Sequence, residues 1–312
     1  MATSNASMTG SSNLVKKDKR ASLADAVRLI EDGSTVGIGG SLIRRHPMAV
    51  IYEMIRQNKR DLTLLGWNNA VDMDLLIGAG CVKAVKTAYV GMAMLGLGHN
   101  FRRAVESGEV KVFEHSESTA IDAFRAGSMG WSFVPTKTPL GSGLADHNEE
   151  IKFMDCPYTG DPYCVLPAFA PDVAIIHAHT ADACGNVQLD SKRELDNEVD
   201  TLIAKSANKV IVSVEQVVSE DAIYQNPELT ILPKFFVDCV VEIPLGAHPT
   251  ACDCRYDYDL EFLSKYQEYA KSPETFKEFL KRYVFDVDDH YQYLDLIGLQ
   301  HLFSIQRPKE IS

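Results

Sequence analysis

Short apolar runs alternate with amphipathic stretches along most of the chain. Apolar residues at helical spacing, beginning after the capping residue Ser22 and ending at Gly33, predict a first helix. The apolar run 36–38 predicts a buried strand, and Pro47 is predicted as the first residue of a helix that continues to about Gln57. The stretch 32–47, DGSTVGIGGSLIRRHP, is therefore predicted as strand, loop and helix.

The same alternation continues towards the C-terminus. It predicts strands at 61–66, 82–90, 110–113, 164–167, 173–177, 209–214 and 238–243, and helices at 71–77, 100–106, after Ser116, and at 194–207. Residues 131–163, rich in Pro, Gly and polar residues, are predicted as a long loop, and 260–302 as an amphipathic helical tail. The pattern is typical of an α/β fold with an open, mostly parallel sheet flanked by helices. We expect one domain over 21–312 and a flexible tail at 1–20.

Composition narrows the function classes. The net charge of −12 and the pI of about 5.2 argue against a nucleic-acid or membrane-surface partner. The N-terminus has no apolar signal segment, and the seven cysteines form no CxxC pair, which favours a reducing, cytoplasmic location. His248, Cys252 and Cys254 match no zinc spacing, so no metal is expected.

The glycine-rich turn after the first strand is the first candidate site. Gly39, Gly40 and Ser41 lie between a predicted strand and a helix, where backbone N–H groups can bind anions. Ile43 stands where GxGxxG would need its third small residue, and no P-loop motif occurs. A ligand loop and a plain tight turn both remain open.

Two pairs of polar residues lie close to this turn in the predicted fold. Arg44 and Arg45 could bind a carboxylate or phosphate through paired, charge-assisted hydrogen bonds, or could lie on a solvated loop. Asn68 and Asn69 follow a strand, at the carboxyl edge where α/β proteins bind ligands. An Asx turn is the alternative for the two asparagines.

The segment HSEST carries a carboxylate at the same edge. Glu117 follows a strand and begins a helix, so it could act as a nucleophile or general base, or could simply complement the helix dipole. Further along, Gly141 and Ser142 would permit close approach of a ligand or a neighbouring chain, with a surface turn as the alternative.

Six segments between about residues 22 and 302 resemble, in order, the alpha subunits of family I coenzyme A transferases, specifically those of the glutaconate CoA-transferase group. They are DGSTVGIGGSLIRRHP, DLTLLGWNNAVDMDLLIGAG, FVPTKTPLGSGL, PDVAIIHAHTADACGNV, VDCVVEIPLGAHPTACDCRYDYD and YVFDVDDHYQYL. One departure is Ser41, where the usual signature has Phe.

This resemblance implies a NagB/RpiA/CoA-transferase-like fold, coenzyme A as a substrate with no permanently bound cofactor, and a homologous beta subunit. The heterodimer would assemble further, to α2β2 or α4β4, and a glutamate of the beta subunit would attack the acyl-CoA thioester. This chain would bind the acyl group, and its two arginines suggest a dicarboxylic one. The predicted substrate-binding residues are Gly39, Gly40, Ser41, Arg44, Arg45, Asn68, Asn69, Ser116, Gly141 and Ser142.

Glu117 opens a second interpretation. The chain is also similar to alpha subunits of steroid-ring-opening CoA hydrolases, which carry an essential glutamate at what corresponds to this position, whereas the glutaconate enzyme has an amide there. Glu117 would then activate water for C–C bond cleavage of a cyclic diketone-type CoA ester. A non-catalytic binding subunit is a third alternative.

Overall fold

The computed structural model describes residues 18–190 and 195–307, and the side chains of 195–197 are outside the description. Most of the predicted tail at 1–20, and the predicted helix start at 194, lie outside these residues. Lys19 is already part of the fold, because its carbonyl accepts a hydrogen bond from the Val240 N–H (2.9 Å). None of the described helices is long and apolar enough to cross a bilayer.

The described residues contain twelve strands and twelve α-helices. The strands are β1 Thr35–Ile38, β2 Leu62–Leu65, β3 Val82–Thr87, β4 Lys111–Glu114, β5 Phe133–Thr136, β6 Lys152–Asp155, β7 Pro162–Pro167, β8 Val173–Asp182, β9 Val187–Gln188, β10 Lys209–Val218, β11 Thr230–Leu232 and β12 Cys239–Glu242. The helices are α1 Leu23–Val27, α2 Met48–Arg56, α3 Val71–Gly78, α4 His99–Glu106, α5 Glu117–Ser128, α6 Leu144–His147, α7 Leu195–Ser206, α8 Glu220–Gln225, α9 Leu260–Ala270, α10 Pro273–Leu280, α11 His290–Ile297 and α12 Leu299–Ser304.

The main sheet confirms the predicted fold class. Seven strands pair in parallel in the order β12-β10-β8-β1-β2-β3-β4, and β9 and β11 add an antiparallel extension. The chain runs outward from β1 to β4 and later returns to the other side of β1 with β8. The strand order therefore reverses between β1 and β8, and open α/β sheets bind ligands at the carboxyl ends of strands beside such a reversal.

Helices cover both faces of this sheet. Val173 and Ile175 of β8 pack in a core with α2, α3, α9 and α10, whereas Ala174 and Ile176 point to the opposite core with α5 and α7. All ten residues of β8 are buried, because the strand is covered on both faces. β8 and β10 each extend past the predicted strand, so their carboxyl ends rise above that of β1.

The predicted long loop at 131–163 is wrong in detail. It contains β5, α6 and β6, and with β7 it forms a three-stranded antiparallel sheet around buried Ile151, Cys164 and Leu166. Lys86 on β3 pairs with Glu150 (2.5 Å), so this small sheet is attached at the carboxyl side of the main sheet. Proline and polar residues hid the strand pattern, because both outer strands are largely exposed.

Candidate functional site

Three of the predicted site segments meet at the carboxyl edge of the main sheet. The Trp67 indole Nε1 donates to the Gly40 carbonyl (3.1 Å), and the Leu42 N–H donates to the Asn68 carbonyl (2.7 Å). The Asn68 amide Nδ2 in turn donates to Oε1 of Glu117 (3.1 Å). The loops after β1 and β2 and the start of α5 therefore form one connected polar surface.

The glycine loop, residues 39–42, has its backbone N–H groups occupied by the chain itself. Gly39 donates to Ile175 O (2.9 Å), Gly40 to Asp200 Oδ1 (2.7 Å) and Ser41 to Arg44 O (2.9 Å). Leu42 completes the set through its bond to Asn68. The anion that this loop holds is thus the Asp200 carboxylate of α7, at the place where a ligand phosphate would lie in a dinucleotide-binding fold.

The glycines in the loop are required by internal packing. A Cβ on Gly39 would lie 2.8 Å from Asp200 Oδ1, and a Cβ on Gly40 would lie 2.7 Å from His46 Nδ1. Gly40 also has φ of +97°, which side chains rarely adopt. The sequence predicts the turn, but the groups that lie close to the backbone of Gly39 and Gly40 are atoms of this chain and not of a ligand.

The two adjacent arginines occupy different environments. Arg45 is 1% exposed, and its Nη1 lies 2.6 Å from Asp200 Oδ2. Burial by itself would lower the pKa of Arg45, but the charge and hydrogen bond of Asp200 raise it. Arg44 pairs with Asp253 (2.8 Å), and its side chain is 36% exposed. Arg45 is therefore buried in an ion pair with Asp200, whereas the Arg44 side chain is accessible to a ligand.

A buried ion pair, missed at the level of sequence, holds the glycine loop in place. His46 Nδ1 lies 3.0 Å from Gly39 O and 3.3 Å from Asp72 Oδ2, and its Nε2 lies 2.8 Å from Leu42 O. Both ring nitrogens face oxygen acceptors, which favours the doubly protonated ring. Burial alone lowers the pKa of His46, but Asp72 outweighs burial and raises that pKa above its ordinary value.

The neighbouring asparagines also differ. Asn68 points towards Glu117, whereas Asn69 is fully buried and donates from Nδ2 to Asp72 (2.8 Å). The Asn69 side-chain oxygen accepts a hydrogen bond from the Thr87 hydroxyl (3.2 Å). Asn69 therefore connects β2 with α3 and β3, and only Asn68 of this pair lies at the exposed carboxylate.

Ser116 caps α5, as the sequence predicts. Its hydroxyl accepts from the Thr119 N–H (3.2 Å), and the Thr119 hydroxyl accepts from the Ser116 N–H (2.8 Å). Glu117, the first residue of α5, is exposed to solvent. Two residues earlier, burial and the nearby Lys86 charge lower the pKa of His115 to about 4, so this ring is neutral at pH 7.

Gly141 and Ser142 lie in the turn between β5 and α6. Gly141 has φ of +74°, and a Cβ there would meet no atom within 4 Å. The Ser142 hydroxyl donates to Pro139 O (2.8 Å) in the same turn. No described contact joins these two residues to Glu117, so in this structure they are apart from the connected polar surface.

One group of described side chains has spacing compatible with a metal ion, namely His177, Glu215 and Cys252, whose ligand atoms lie within 4.8 Å of one another. His177 Nε2 is 2.8 Å from Glu215 Oε1, which also accepts from the Tyr256 hydroxyl (2.8 Å). Burial raises the pKa of the Cys252 thiol well above its ordinary value, which disfavours the thiolate that a metal requires. His177 and Glu215 already have hydrogen-bond partners within this chain.

Known proteins are similar to this chain in sequence and in fold. The sequence profile described as coenzyme A transferase matches residues 20–243. An uncharacterized protein of Archaeoglobus fulgidus is 38% identical over 94% of this chain, which spans 66% of that longer protein. The alpha chain of glutaconate CoA-transferase from Acidaminococcus fermentans is 33% identical over 91% of this chain and 93% of its own.

Two further matches concern structure and chemistry. The crystal structure of glutaconate coenzyme A-transferase from Acidaminococcus fermentans superposes with a TM-score of 0.89 and 32% identity, covering 93% of this chain and 96% of that one. The cholesterol ring-cleaving hydrolase IpdA subunit of Rhodococcus jostii is 33% identical over 89% of this chain and 95% of its own.

Proposed function

The chain belongs to the coenzyme A transferase family, and we propose that it is the alpha subunit of a two-subunit enzyme that moves CoA between an acyl-CoA and a carboxylic acid. The observation that carries this proposal is the polar surface joined by hydrogen bonds from Gly40 through Asn68 to Glu117, at the carboxyl edge of the sheet. Relatives whose names mark them as single subunits of a CoA-transferase support a partner that is a second, homologous chain.

In the proposed reaction the nucleophile is a carboxylate of the partner subunit. It attacks the thioester carbonyl, so that a C–O bond forms, the C–S bond breaks, and CoA leaves as a thiolate. The thiolate then attacks the carbonyl carbon of the enzyme's own carboxyl group in the mixed anhydride, which releases the first acid and leaves an enzyme–CoA thioester. The acceptor carboxylate reverses these steps. This chain's part is to bind the acyl group beside Asn68 and Arg44.

The test is to co-purify the chain with its partner and to treat the complex with acyl-CoA followed by borohydride. A partner-subunit glutamate should be reduced to an alcohol, because an enzyme–CoA thioester is reducible whereas a free carboxylate is not. An active complex without this reduction would contradict the transferase proposal. A complex that neither exchanges CoA nor hydrolyses acyl-CoA esters would support a binding subunit.

A second candidate function is favoured by Glu117 itself. An exposed carboxylate held by Asn68 at the candidate site is suited to activating water, and the IpdA relative is named a ring-cleaving hydrolase. In this alternative, water loses a proton to Glu117 and adds to a ring carbonyl of a cyclic diketone-type CoA ester. The C–C bond between that carbonyl and the neighbouring ring carbon then breaks, which leaves a carboxylic acid and an enolate that takes up the proton.

Glu117→Gln in the complex separates the two candidates. Loss of hydrolysis of at least about 100-fold supports the hydrolase, since a positioned general base contributes about 10²–10⁴ in rate. Unchanged CoA exchange supports the transferase. Glu274→Gln is the matched control, because Glu274 is also an exposed first-turn acid behind a serine cap, on α10.

The finer features of the proposal are the acyl group and the setting. Accessible Arg44 suits the second carboxylate of a dicarboxylic acyl group, and the seven free cysteines suit a reducing cytoplasm. Coenzyme A enters as a substrate, and assembly beyond the heterodimer, to α2β2 or α4β4, completes the enzyme that we propose.

A further inference from the structure

We infer that Asn68 is a positioning residue that sets Glu117 against the glycine loop, an inference that rests on the second candidate function, in which Glu117 is the water-activating carboxylate. Asn68 contacts the glycine loop through its backbone and Glu117 through its side chain. Its backbone carbonyl accepts from the Leu42 N–H (2.7 Å), and its side-chain amide donates to Glu117 Oε1 (3.1 Å).

The loop end of this connection is rigid. Leu42 has φ of +52°, a conformation that a leucine keeps only where its surroundings hold it. The Asn68 carbonyl provides one such contact, and the Trp67 indole bond to Gly40 provides a second one from the neighbouring residue. Asn68 itself is 7% exposed, so its amide starts from a packed position.

The carboxylate end needs this support. Glu117 is exposed, and an unrestrained glutamate at the surface samples several rotamers. One donor on Oε1 selects the rotamer that faces the loop, while the described contacts leave Oε2 open to water or substrate. An amide is suited to this task because it stays a donor at every pH, whereas a histidine or carboxyl donor would titrate.

The test uses the complete two-subunit enzyme and measures kcat and KM for acyl-CoA hydrolysis. Asn68→Ala is expected to lower kcat about 10- to 100-fold with little change in KM, since a bond to a charged group contributes about 1.5–3 kcal/mol. In a Glu117→Gln background the same change should have little further effect, because the two residues act as a unit. Asn226→Ala, at an exposed asparagine away from the site, is the control.

A pH profile of Asn68→Asp distinguishes positioning from a structural role. The introduced carboxyl can donate to Glu117 only while protonated, and facing carboxylates hold one proton to higher pH. The kcat of this variant should therefore be close to the wild-type kcat near pH 5. Towards pH 8 it should fall to about the kcat of Asn68→Ala. A flat loss across that range would overturn the inference. The same profile serves if Asn68→Ala does not fold.

The outcomes separate the inference from the function on which it rests. Full hydrolysis by Glu117→Gln, or a wild-type complex that exchanges CoA without hydrolysing acyl-CoA esters, would remove the role of Glu117, and the inference with it. Loss of hydrolysis in Glu117→Gln, together with kcat within about 2-fold of wild type in Asn68→Ala, would overturn only the role of Asn68, because the carboxylate would then work without its donor.

Discussion

At the scale of single residues, adjacent residues of the same type lie in different environments and have different expected roles. Arg44 and Arg45 are indistinguishable in sequence, but Arg45 is sealed against Asp200 while Arg44 remains at the surface with Asp253. Arg45 also has a positive φ (+51°), and its side chain is buried. A ligand carboxylate should therefore depend on Arg44.

We predict that Arg45→Ala lowers the free energy of unfolding by about 3–5 kcal/mol, because it leaves the Asp200 carboxylate buried without its partner. Arg44→Ala should lower it by no more than about 1 kcal/mol, because its ion pair is partly exposed. Urea unfolding of the purified chain measures both. Equal losses for the two variants would contradict the assignment.

The same arginines give a kinetic prediction. Arg44→Ala should raise KM for a dicarboxylic acyl-CoA by about 10-fold or more, the effect of losing a charge-assisted hydrogen bond, and should leave KM for a monocarboxylic one unchanged. The measurement is steady-state exchange or hydrolysis by the complex with a matched pair of substrates. If both KM values stay constant, Arg44 does not bind the acyl group.

The glycine loop gives a third residue-level prediction. Gly40→Ala combines an unfavourable φ with a clash of 2.7 Å against His46, whereas Gly96→Ala has a similar φ of +90° and open space around the added methyl. We expect Gly40→Ala to be the less stable by about 1–3 kcal/mol, the usual effect of overpacking. Thermal and urea unfolding compare the two, and equal stability would show that the loop rearranges freely.

At the scale of elements, the sequence predicts those parts whose periodicity is strong. The run DLTLLG and the capped helix after Ser116 agree with β2 and α5, because apolar spacing and a serine cap are local signals. Two of the three strands of the small sheet are missed, because Phe153 on β6 is exposed and Pro135 interrupts β5, so neither strand shows buried alternation.

The candidate site is predictable to a similar extent. Asn68 and Glu117 are found by the rule that polar residues after parallel strands lie at one edge. Asp200 is not, because it lies 160 positions from Gly40 within an amphipathic helix, and nothing local separates it from a solvated acid. His46 and Asp72 share this difficulty, since their pairing depends on how the loop after β1 packs on α3.

That pairing gives a prediction about pH at the element scale. The raised pKa of His46 means that its contribution to stability is complete below its unfolded value, near 6.5, and is lost as pH rises through the raised folded value. The lowered pKa of Asp72 adds stability above about 3.8 that is lost in acid. The ion pair therefore stabilises the loop at pH values above the lowered pKa of Asp72 and below the raised pKa of His46.

We expect the free energy of unfolding of the wild type to fall more steeply above pH 6.5 than that of His46→Gln, which cannot bind the proton. Urea unfolding at a series of pH values measures the difference. His147→Gln, at an exposed histidine on α6, serves as the control and should follow the wild type. Parallel curves for wild type and His46→Gln would show that the ring is not protonated in the fold.

At the scale of the whole molecule, topology explains why distant segments form one surface. The chain returns to the sheet with β8, on the side of β1 opposite to β2. Helix α7 then places Asp200 against the loop after β1, where many α/β enzymes bind a ligand. The candidate site is thereby displaced towards β2 and β4, where Asn68 and Glu117 lie. Glu117 at this site faces solvent, and a reaction of thioesters and anhydrides requires that water be excluded or controlled.

Because Glu117 is exposed and the reaction needs control of water, we predict that the isolated chain neither exchanges CoA nor hydrolyses acyl-CoA. Activity should appear on titration with the partner subunit. The partner should also raise the free energy of unfolding, by about 2.7 kcal/mol at one hundred times its dissociation constant, because it binds only the folded chain. Activity and thermal unfolding followed across the same titration test both effects. A chain that is fully active alone would mean that Glu117 and its neighbours form a complete site, and the partner would then have no catalytic part.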